Sequence, residues 1–238
     1  MTASPLFATG YLVITVFGFV SNGILVITYI RSRKSILILA KDVLIFSLAV
    51  ADLFLSIAVH PLCIASTVTG TSIIEGSFGC EWYAFSATFI GLSSIAHLVL
   101  IAFERVLTMS SNARVGVTRK TCFSGIVAAY VSAFIVSTFP ILGWSSYSPE
   151  GYGWYCSVTW SARTLNSSSF CIFLLTTFFI LPILIIFYSY MKIFLILRKL
   201  YTRAIANWGQ RNFQTTITYK SKLKATYRGV CTIVAFLI

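Results

Sequence analysis

The chain alternates long apolar segments with shorter polar stretches, most of which are basic. A helix that crosses a bilayer needs about 20 apolar residues, and five segments reach that length. They cover about 11–30, 43–66, 77–105, 121–142 and 170–195. These runs are too long and continuous for the strands of a membrane β-barrel, which alternate over roughly ten residues. Because helices satisfy their own backbone hydrogen bonds in lipid, the pattern predicts an all-α, polytopic membrane helical bundle.

A sixth apolar segment begins near residue 229 and runs to residue 238, the last of the sequence. This stretch is too short to cross a bilayer. We therefore expect a single domain, 1–238, with helices 1–5 complete and helix 6 cut short.

Composition and charge support an integral membrane protein and exclude a nucleic-acid-binding one. Residues are 58% hydrophobic and 10% charged, whereas a soluble domain carries about 25% charge. The net charge is +12, and nearly all basic residues follow the first, third or fifth segment. Only Arg163 lies in a loop on the opposite side. The positive-inside rule then predicts an extracellular N-terminus and three cytoplasmic basic loops, most simply in the plasma membrane.

The third segment has a distinct chemical group at each end. Its 22 residues between Glu81 and Glu104 include no Lys, Arg, Asp or Glu. From Cys80 to Arg105 a helix would rise roughly 38 Å, enough to place the cysteine at one membrane face and the Glu104-Arg105 pair at the other. Cys156, in the loop after the fourth segment, is the other cysteine near the outer face. No Cys or His cluster has the spacing of a metal site.

Polar residues inside the spans need partners, because lipid offers none. Asn22 lies in the first span and is interpreted as a helix-packing group. Asp52 lies in the second and is either the structural partner of Asn22 or an ion-linked switch. His97 is interpreted as a packing residue. On the outer side, Asn166 begins an Asn-Ser-Ser glycosylation sequon.

The features described above, in this order and spacing, resemble the rhodopsin-like (class A) G-protein-coupled receptors. The resemblance covers the chain from about residue 10 and includes LAVADL around Asp52, Pro182 and Tyr190. Three stretches resemble the opsins in particular, and non-visual opsins best. They are GWSSYSPEG at 143–151, the helix-three residues Ala87, Thr88 and Gly91, and AFLI at 235–238.

The opsin resemblance implies a retinal pocket under a lid formed by the outer loop. Cys80 and Cys156 would form the disulfide that ties the lid to helix three. The pocket would be lined by Tyr83, Ala87, Thr88, Gly91, Glu150 and Phe179. Tyr83 stands where vertebrate visual pigments have a glutamate counterion, so that role falls to Glu150, whose alternative is a solvated turn residue. The lysine that binds retinal in the family lies beyond the end of this chain.

The resemblance also implies a latch at the cytoplasmic end. Arg105 would engage a heterotrimeric G protein, Glu104 would restrain it, and Tyr190 would support the open state. The chain departs from the family at several positions, which are Val106, Asn112, Tyr130 and Lys222. Lys222 stands where an acid is often found at the start of helix six, and it cannot pair with Arg105.

We therefore expect an incomplete opsin, a photoreceptor rather than an enzyme, that in complete form binds retinal and activates a heterotrimeric G protein. Two alternatives stay open. One is a rhodopsin-like receptor for a diffusible ligand, and the other is a retinal photoisomerase-type opsin. A channel or transporter is disfavoured, because the sequence has no inverted repeat and no ring of pore charges.

Overall fold

A computed structural model describes residues 5–31, 40–69, 77–110, 117–150, 153–161 and 163–208. These residues form helices and one small hairpin. In chain order, the helices are α1 (Pro5–Arg31), α2 (Ala40–Phe54), α3 (His60–Thr69), α4 (Ser77–Ser110), α5 (Arg119–Thr138), α6 (Leu165–Leu174) and α7 (Leu181–Trp208).

Five helical spans in the described residues are long and apolar enough to cross a membrane. They are Ala8–Arg31, Asp42–Thr69, Phe78–Ser110, Arg119–Thr138 and Leu165–Arg203. Each coincides with one of the five complete spans predicted from the sequence. The sixth predicted segment lies outside the described residues.

The fourth span ends earlier than predicted, at Thr138 rather than near residue 142. Phe139, the next residue, keeps helical backbone angles, but its N–H donates to the Val136 carbonyl only three residues back, so the α-helix ends in tighter turns. The chain then turns, and the backbone N–H groups of Ile141 and Leu142 both donate to the Thr138 carbonyl. At the other end of α5, the side chain of Thr118 accepts a bond from the N–H of Thr121 and caps the helix.

The second and fifth spans each contain a π-helical turn. These turns cover Leu55–Val59, between α2 and α3, and Leu175–Ile180, between α6 and α7. Pro61 and Pro182 each follow two residues after such a turn. Proline has no N–H and its ring clashes with the carbonyl four residues earlier, which here lies in the π turn. A wider turn relieves that clash while the helix continues.

The third span, α4, is the centre of the bundle. Half of the residues in its most apolar stretch are buried, against 11% for the first span. It packs against α2, α5, α7 and the hairpin. The main core joins α2, α4 and α5 through Leu44, Leu48, Leu98, Ile101, Ala102, Cys122 and Ile126. Side chains on α4 are therefore held from several directions.

The hairpin consists of β1 (Tyr147–Glu150) and β2 (Tyr155–Val158), which pair antiparallel with Glu150 opposite Tyr155. Gly153, at the hairpin turn, has a φ of 83°, a value that costs glycine little because it has no Cβ. The N–H of Gly153 donates to the Glu150 carbonyl at 3.0 Å. The turn thereby fixes the backbone of Glu150 at the end of β1.

Candidate functional site

A disulfide between Cys80 and Cys156 ties the hairpin to the head of α4. Cys80 lies near the start of α4 and Cys156 in β2, where the strand register places it opposite Pro149. The bond is buried in a cluster with Val59, Tyr83 and other side chains of the second and third spans. The loop that the sequence predicts as a lid is thus covalently attached to the central helix.

Tyr147 fastens the other strand of the hairpin. Its hydroxyl donates to the Ser137 carbonyl on α5 at 2.7 Å. Burial raises the pKa of Tyr147 to about 12, and the nearby Thr88 side chain on α4 opposes that rise. The phenol therefore fastens the hairpin to α5, beside α4. No role was predicted for this tyrosine from the sequence.

The predicted pocket residues on α4 share one face of the helix below the hairpin. Tyr83 is buried, and Ala87 packs against the same cluster as the disulfide. Thr88 and Gly91 are three residues apart, so they lie one above the other. A Cβ added at Gly91 would meet no heavy atom within 4 Å. The helix therefore borders open space at Gly91, about one turn below Thr88.

The other two predicted pocket residues lie on other elements, Phe179 in the π turn of the fifth span and Glu150 in the hairpin. The side chain of Phe179 is 53% exposed, and it is Phe178 that packs with Phe173. Glu150 is half-buried at the end of β1, opposite Tyr155. Burial raises the pKa of Tyr155, and the negative charge of Glu150 adds to the rise. Glu150 is therefore close to Tyr155, and its role toward a ligand remains a prediction.

Asn22 and Asp52 have separate partners, so the pairing considered from the sequence is not formed. The Asn22 amide donates to the Gly18 carbonyl of its own helix at 3.0 Å. Asp52 instead accepts a bond from the Ser94 hydroxyl on α4 at 2.9 Å. Its second oxygen, Oδ2, is buried without a hydrogen-bond partner among the described residues. Asp52 thus connects the second span to α4 rather than to α1.

His97 is fully buried at the junction of three spans, as expected of a packing residue. Its Nε2 lies 3.0 Å from the Ser47 hydroxyl, and its Nδ1 lies 2.7 Å from the Ser93 carbonyl. The Tyr130 hydroxyl reaches the same serine hydroxyl at 3.2 Å. Tyr130, which departs from the family tryptophan, therefore has a polar role of its own in joining α2, α4 and α5.

At the foot of α4, Glu104 and Arg105 form a loose ion pair. Arg105 Nε lies 3.9 Å from Glu104 Oε2, which is too far for a hydrogen bond. The other carboxylate oxygen, Oε1, accepts a bond from the Thr108 hydroxyl at 2.7 Å. Glu104 is buried, whereas the Arg105 side chain is 20% exposed.

Tyr190 on α7 packs beside this pair, in contact with Val106, Ile193 and Leu197. Three buried polar atoms in this region have no hydrogen-bond partner among the described residues. They are Glu104 Oε2, Arg105 Nε and the Tyr190 hydroxyl. Buried polar groups are normally paired, which sets these three atoms apart within the described part of the chain.

A family profile for the seven-transmembrane receptors of the rhodopsin family matches residues 21–238. The chain belongs to that family. Its relatives are opsins, in agreement with the resemblance drawn from the sequence.

Among these relatives, a melanopsin from Felis catus is 31% identical over 193 residues, covering 80% of this chain and 39% of its own length. The visual pigment-like receptor peropsin of Mus musculus is 32% identical over 151 residues, covering 63% of this chain and 44% of its own. A rhodopsin from Myripristis violacea is 27% identical over 228 residues, with coverages of 94% and 62%. The chain therefore spans only part of each relative.

The crystal structure of squid rhodopsin superimposes with a TM-score of 0.80 at 21% identity. The match covers 97% of this chain and 62% of that one. At this identity the likeness shows the fold alone, and it confirms the seven-helix receptor architecture expected from the sequence.

Two residues of this receptor stand out that the sequence interpretation passed over. Besides Tyr147, Asp42 in the first turn of α2 is buried, with an exposure of 7%. It lies one residue outside the predicted second span, where a solvated acid would be unremarkable. The scarcity of acidic residues could have drawn attention to Asp42, because the chain has only six acidic residues against 18 basic ones.

The predicted glycosylation site, Asn166, is exposed in the first turn of α6. Its side-chain amide donates to the Gly143 carbonyl at 2.7 Å. A glycan would be attached to this same nitrogen, where it would replace one of the two amide hydrogens. Glycosylation of Asn166 remains a prediction.

Proposed function

We propose that this receptor is an opsin of the plasma membrane with its N-terminus outside, which binds retinal and signals to a heterotrimeric G protein. The observation that carries the proposal is the hairpin fastened over the α4 face that contains Gly91, together with the loosely paired arginine at the other end of α4. The opsin relatives support the choice of ligand within the family.

The residues present fit a long, apolar ligand such as retinal. The space beside Gly91 is open, and the lid above it is held by the disulfide and by Tyr147. Glu150 supplies a carboxylate on the lid, as a buried cation would require. Retinal, when bound, supplies the light-driven change of shape that the protein itself lacks.

The protein's part is to convert a change at the lid end of α4 into a change at its foot. Asp52–Ser94 and His97–Ser47 tie α4 to α2 between the two ends. A ligand that favours one packing of these helices shifts the population toward it. At the foot, Arg105 is already held only loosely by Glu104, and opening would free it to donate to a G protein.

Light-dependent nucleotide exchange tests the proposal. The full-length gene product is reconstituted with 11-cis-retinal in lipid nanodiscs, and its absorption and its stimulation of GTP exchange on purified G proteins are measured before and after illumination. We expect a visible absorption band and exchange that rises with light.

Two outcomes would favour the alternatives. Retinal that isomerises in light without any nucleotide exchange would indicate the photoisomerase-type opsin. No pigment formation, with exchange stimulated by a diffusible compound, would indicate a receptor for such a ligand.

A further inference from the structure

A groove of about 400 Å³ lies between the fourth and fifth spans, with α4 as its floor. α4 packs against both α5 and α7, whereas in the described part of the chain α5 and α7 make almost no contact with each other. We call the gap between them the α5–α7 groove. Its volume is within the range of ligand sites. Its lining includes Val99, Gly125, Ala128, Thr177, Leu181 and Ile185.

The α5–α7 groove lies at the depth of lipid chains, in the half of the bundle nearer to Arg105. On α4 its lining runs from Ile95 to Leu100, which at 1.5 Å per residue are about 15 and 8 Å above Arg105. One leaflet is about 15 Å deep, half of a hydrocarbon core of about 30 Å. Ser132 and Thr177 are the only polar side chains among the described lining residues, and none is charged. An apolar chain is the ligand group that such a lining accommodates.

A row of cations follows the groove along the same edge of α7. Residues seven or eleven positions apart on an α-helix point in nearly the same direction, because each residue turns by about 100°. Leu181 and Ile185 precede Lys192 by eleven and seven residues, and Lys199 and Arg203 follow it by seven and eleven. All three basic residues are exposed. The edge of α7 that lines the groove therefore becomes a cationic row below it.

The cationic row has no exposed carboxylate at its end of the bundle among the described residues. The two acids there, Asp42 and Glu104, are buried, with exposures of 7% and 6%. The Lys192 ammonium lies 5.9 Å from the centre of the Tyr188 ring, which attracts a cation but does not neutralise it. Lys192 is about 10 Å below Ile185, since seven residues separate them. A chain of one leaflet's depth that starts beside Lys192 therefore ends among the lower lining residues.

We propose that the α5–α7 groove and the cationic row together bind one anionic phospholipid, with an acyl chain in the groove and the phosphate beside Lys192 and Lys199. The headgroup supplies the negative charge that the row lacks, and basic residues next to a span attract anionic lipids. By the predicted orientation this is the cytoplasmic leaflet, which carries such lipids. The site is separate from the proposed retinal pocket, none of whose residues lines the groove.

Photo-crosslinking of the full-length receptor in phosphatidylcholine nanodiscs tests the proposal. The two probes are phosphatidylserine and phosphatidylcholine with the same diazirine-bearing acyl chain, and adducts are mapped by peptide mass spectrometry. Phosphatidylserine should label residues 125–132 and 177–185 roughly fivefold more than phosphatidylcholine does, as one additional net charge predicts. Both leaflets contain the probe, so the result depends neither on orientation nor on retinal or a G protein. Equal labelling by the two probes would overturn the proposal.

Charge variants separate the cationic row from the basic surface as a whole. Lys192→Gln and Lys199→Gln should each lower phosphatidylserine labelling roughly fivefold. The matched control is Arg198→Gln, which removes the same charge from the same exposed stretch of α7. Arg198 points about 120° away from the row, so its loss should change labelling less than twofold. A loss in Arg198→Gln as large as in Lys199→Gln would reject a defined site.

Replacement of Ala128 by phenylalanine tests the groove without altering a charge. The added ring would occupy the groove and should remove most phosphatidylserine adducts within 177–185. Val131→Phe adds a comparable ring at a lipid-exposed position of α5 outside the lining and should keep them. Undiminished labelling in Ala128→Phe would show that no chain enters the groove and would contradict the proposal. If a variant does not fold, the comparison of the two probes on the unchanged receptor still decides the outcome.

Discussion

At the scale of single residues, the side chains with an interpretable role are those that contact a second helix or the hairpin. Thr88 lies near Tyr147 of the hairpin. Gly91 is of interest because the space beside it is open. Phe179, by contrast, is mostly exposed in the described part of the chain. The role of Phe179 in a pocket therefore stays a prediction.

Replacement of Glu150 by glutamine tests its role as counterion. If Glu150 stabilises a protonated Schiff base in the complete pigment, Glu150→Gln should lower the pKa of that base and shift absorption from the visible to the ultraviolet. Absorption spectra at neutral pH measure the shift. Glu81→Gln, at an exposed position of α4 near the same membrane face, should leave the spectrum unchanged. A visible maximum that survives Glu150→Gln would reject the role.

Replacement of Tyr147 by phenylalanine tests the fastening of the lid. The change removes the bond to the Ser137 carbonyl at 2.7 Å and should cost about 1 kcal/mol of stability. Thermal unfolding in detergent, followed by circular dichroism, measures the loss. Tyr188→Phe is the matched control, because Tyr188 is 65% exposed on α7. Equal melting temperatures for both variants would contradict the prediction.

At the scale of elements, the hairpin and α4 act as one unit, because a disulfide joins them at one end of the helix. The same helix ends at Arg105 and connects to α2 through Ser94 and His97. The prolines with their π turns bend the second and fifth spans without ending them. A movement of the hairpin is therefore transmitted along a continuous helix rather than across a loop.

Loss of the disulfide should loosen the whole hairpin. Cys80 and Cys156 are 76 positions apart, and a cross-link over such a loop typically contributes 2–4 kcal/mol. In the folded, non-reduced receptor both cysteines should resist alkylation, and the double Cys80→Ser, Cys156→Ser variant should unfold at a lower temperature. Cys171→Ser, which removes a half-buried free thiol, serves as control. Alkylation of both cysteines without reduction would disprove the bond.

At the scale of the whole molecule, the bundle has one basic end and one end with the hairpin. The first arrangement follows from the charge pattern in the sequence. The positive-inside rule then predicts which end faces the cytoplasm.

Topology can be read by cysteine labelling in intact cells. Ser161→Cys, exposed in the loop after β2, should react with a membrane-impermeant maleimide from outside. Thr202→Cys, exposed near the end of α7, should react only after the membrane is permeabilised. The free cysteines Cys63 and Cys122 are buried and contribute little background. The reverse labelling pattern would invert the proposed orientation.

The sequence by itself determined the placement of the five described spans and the family, and it predicted the orientation of the spans. These properties depend on local hydrophobicity, on the charges between the spans and on short motifs. None of these requires knowledge of the tertiary contacts. The C-terminal bound of α5 was misjudged by one turn, because the sequence stays apolar through residues 139–142, where the structure has turns rather than α-helix.

Only the tertiary structure decided the partners of the polar groups. Asn22 bonds within its own helix, and Asp52 bonds to Ser94 on α4. Whether a polar side chain meets a partner on another helix depends on the rotation of one helix relative to the other, and a rotation by a single residue turns a side chain through about 100°. A membrane span is apolar on nearly all sides, so its hydrophobic pattern does not specify that rotation. Packing against α4 specifies it.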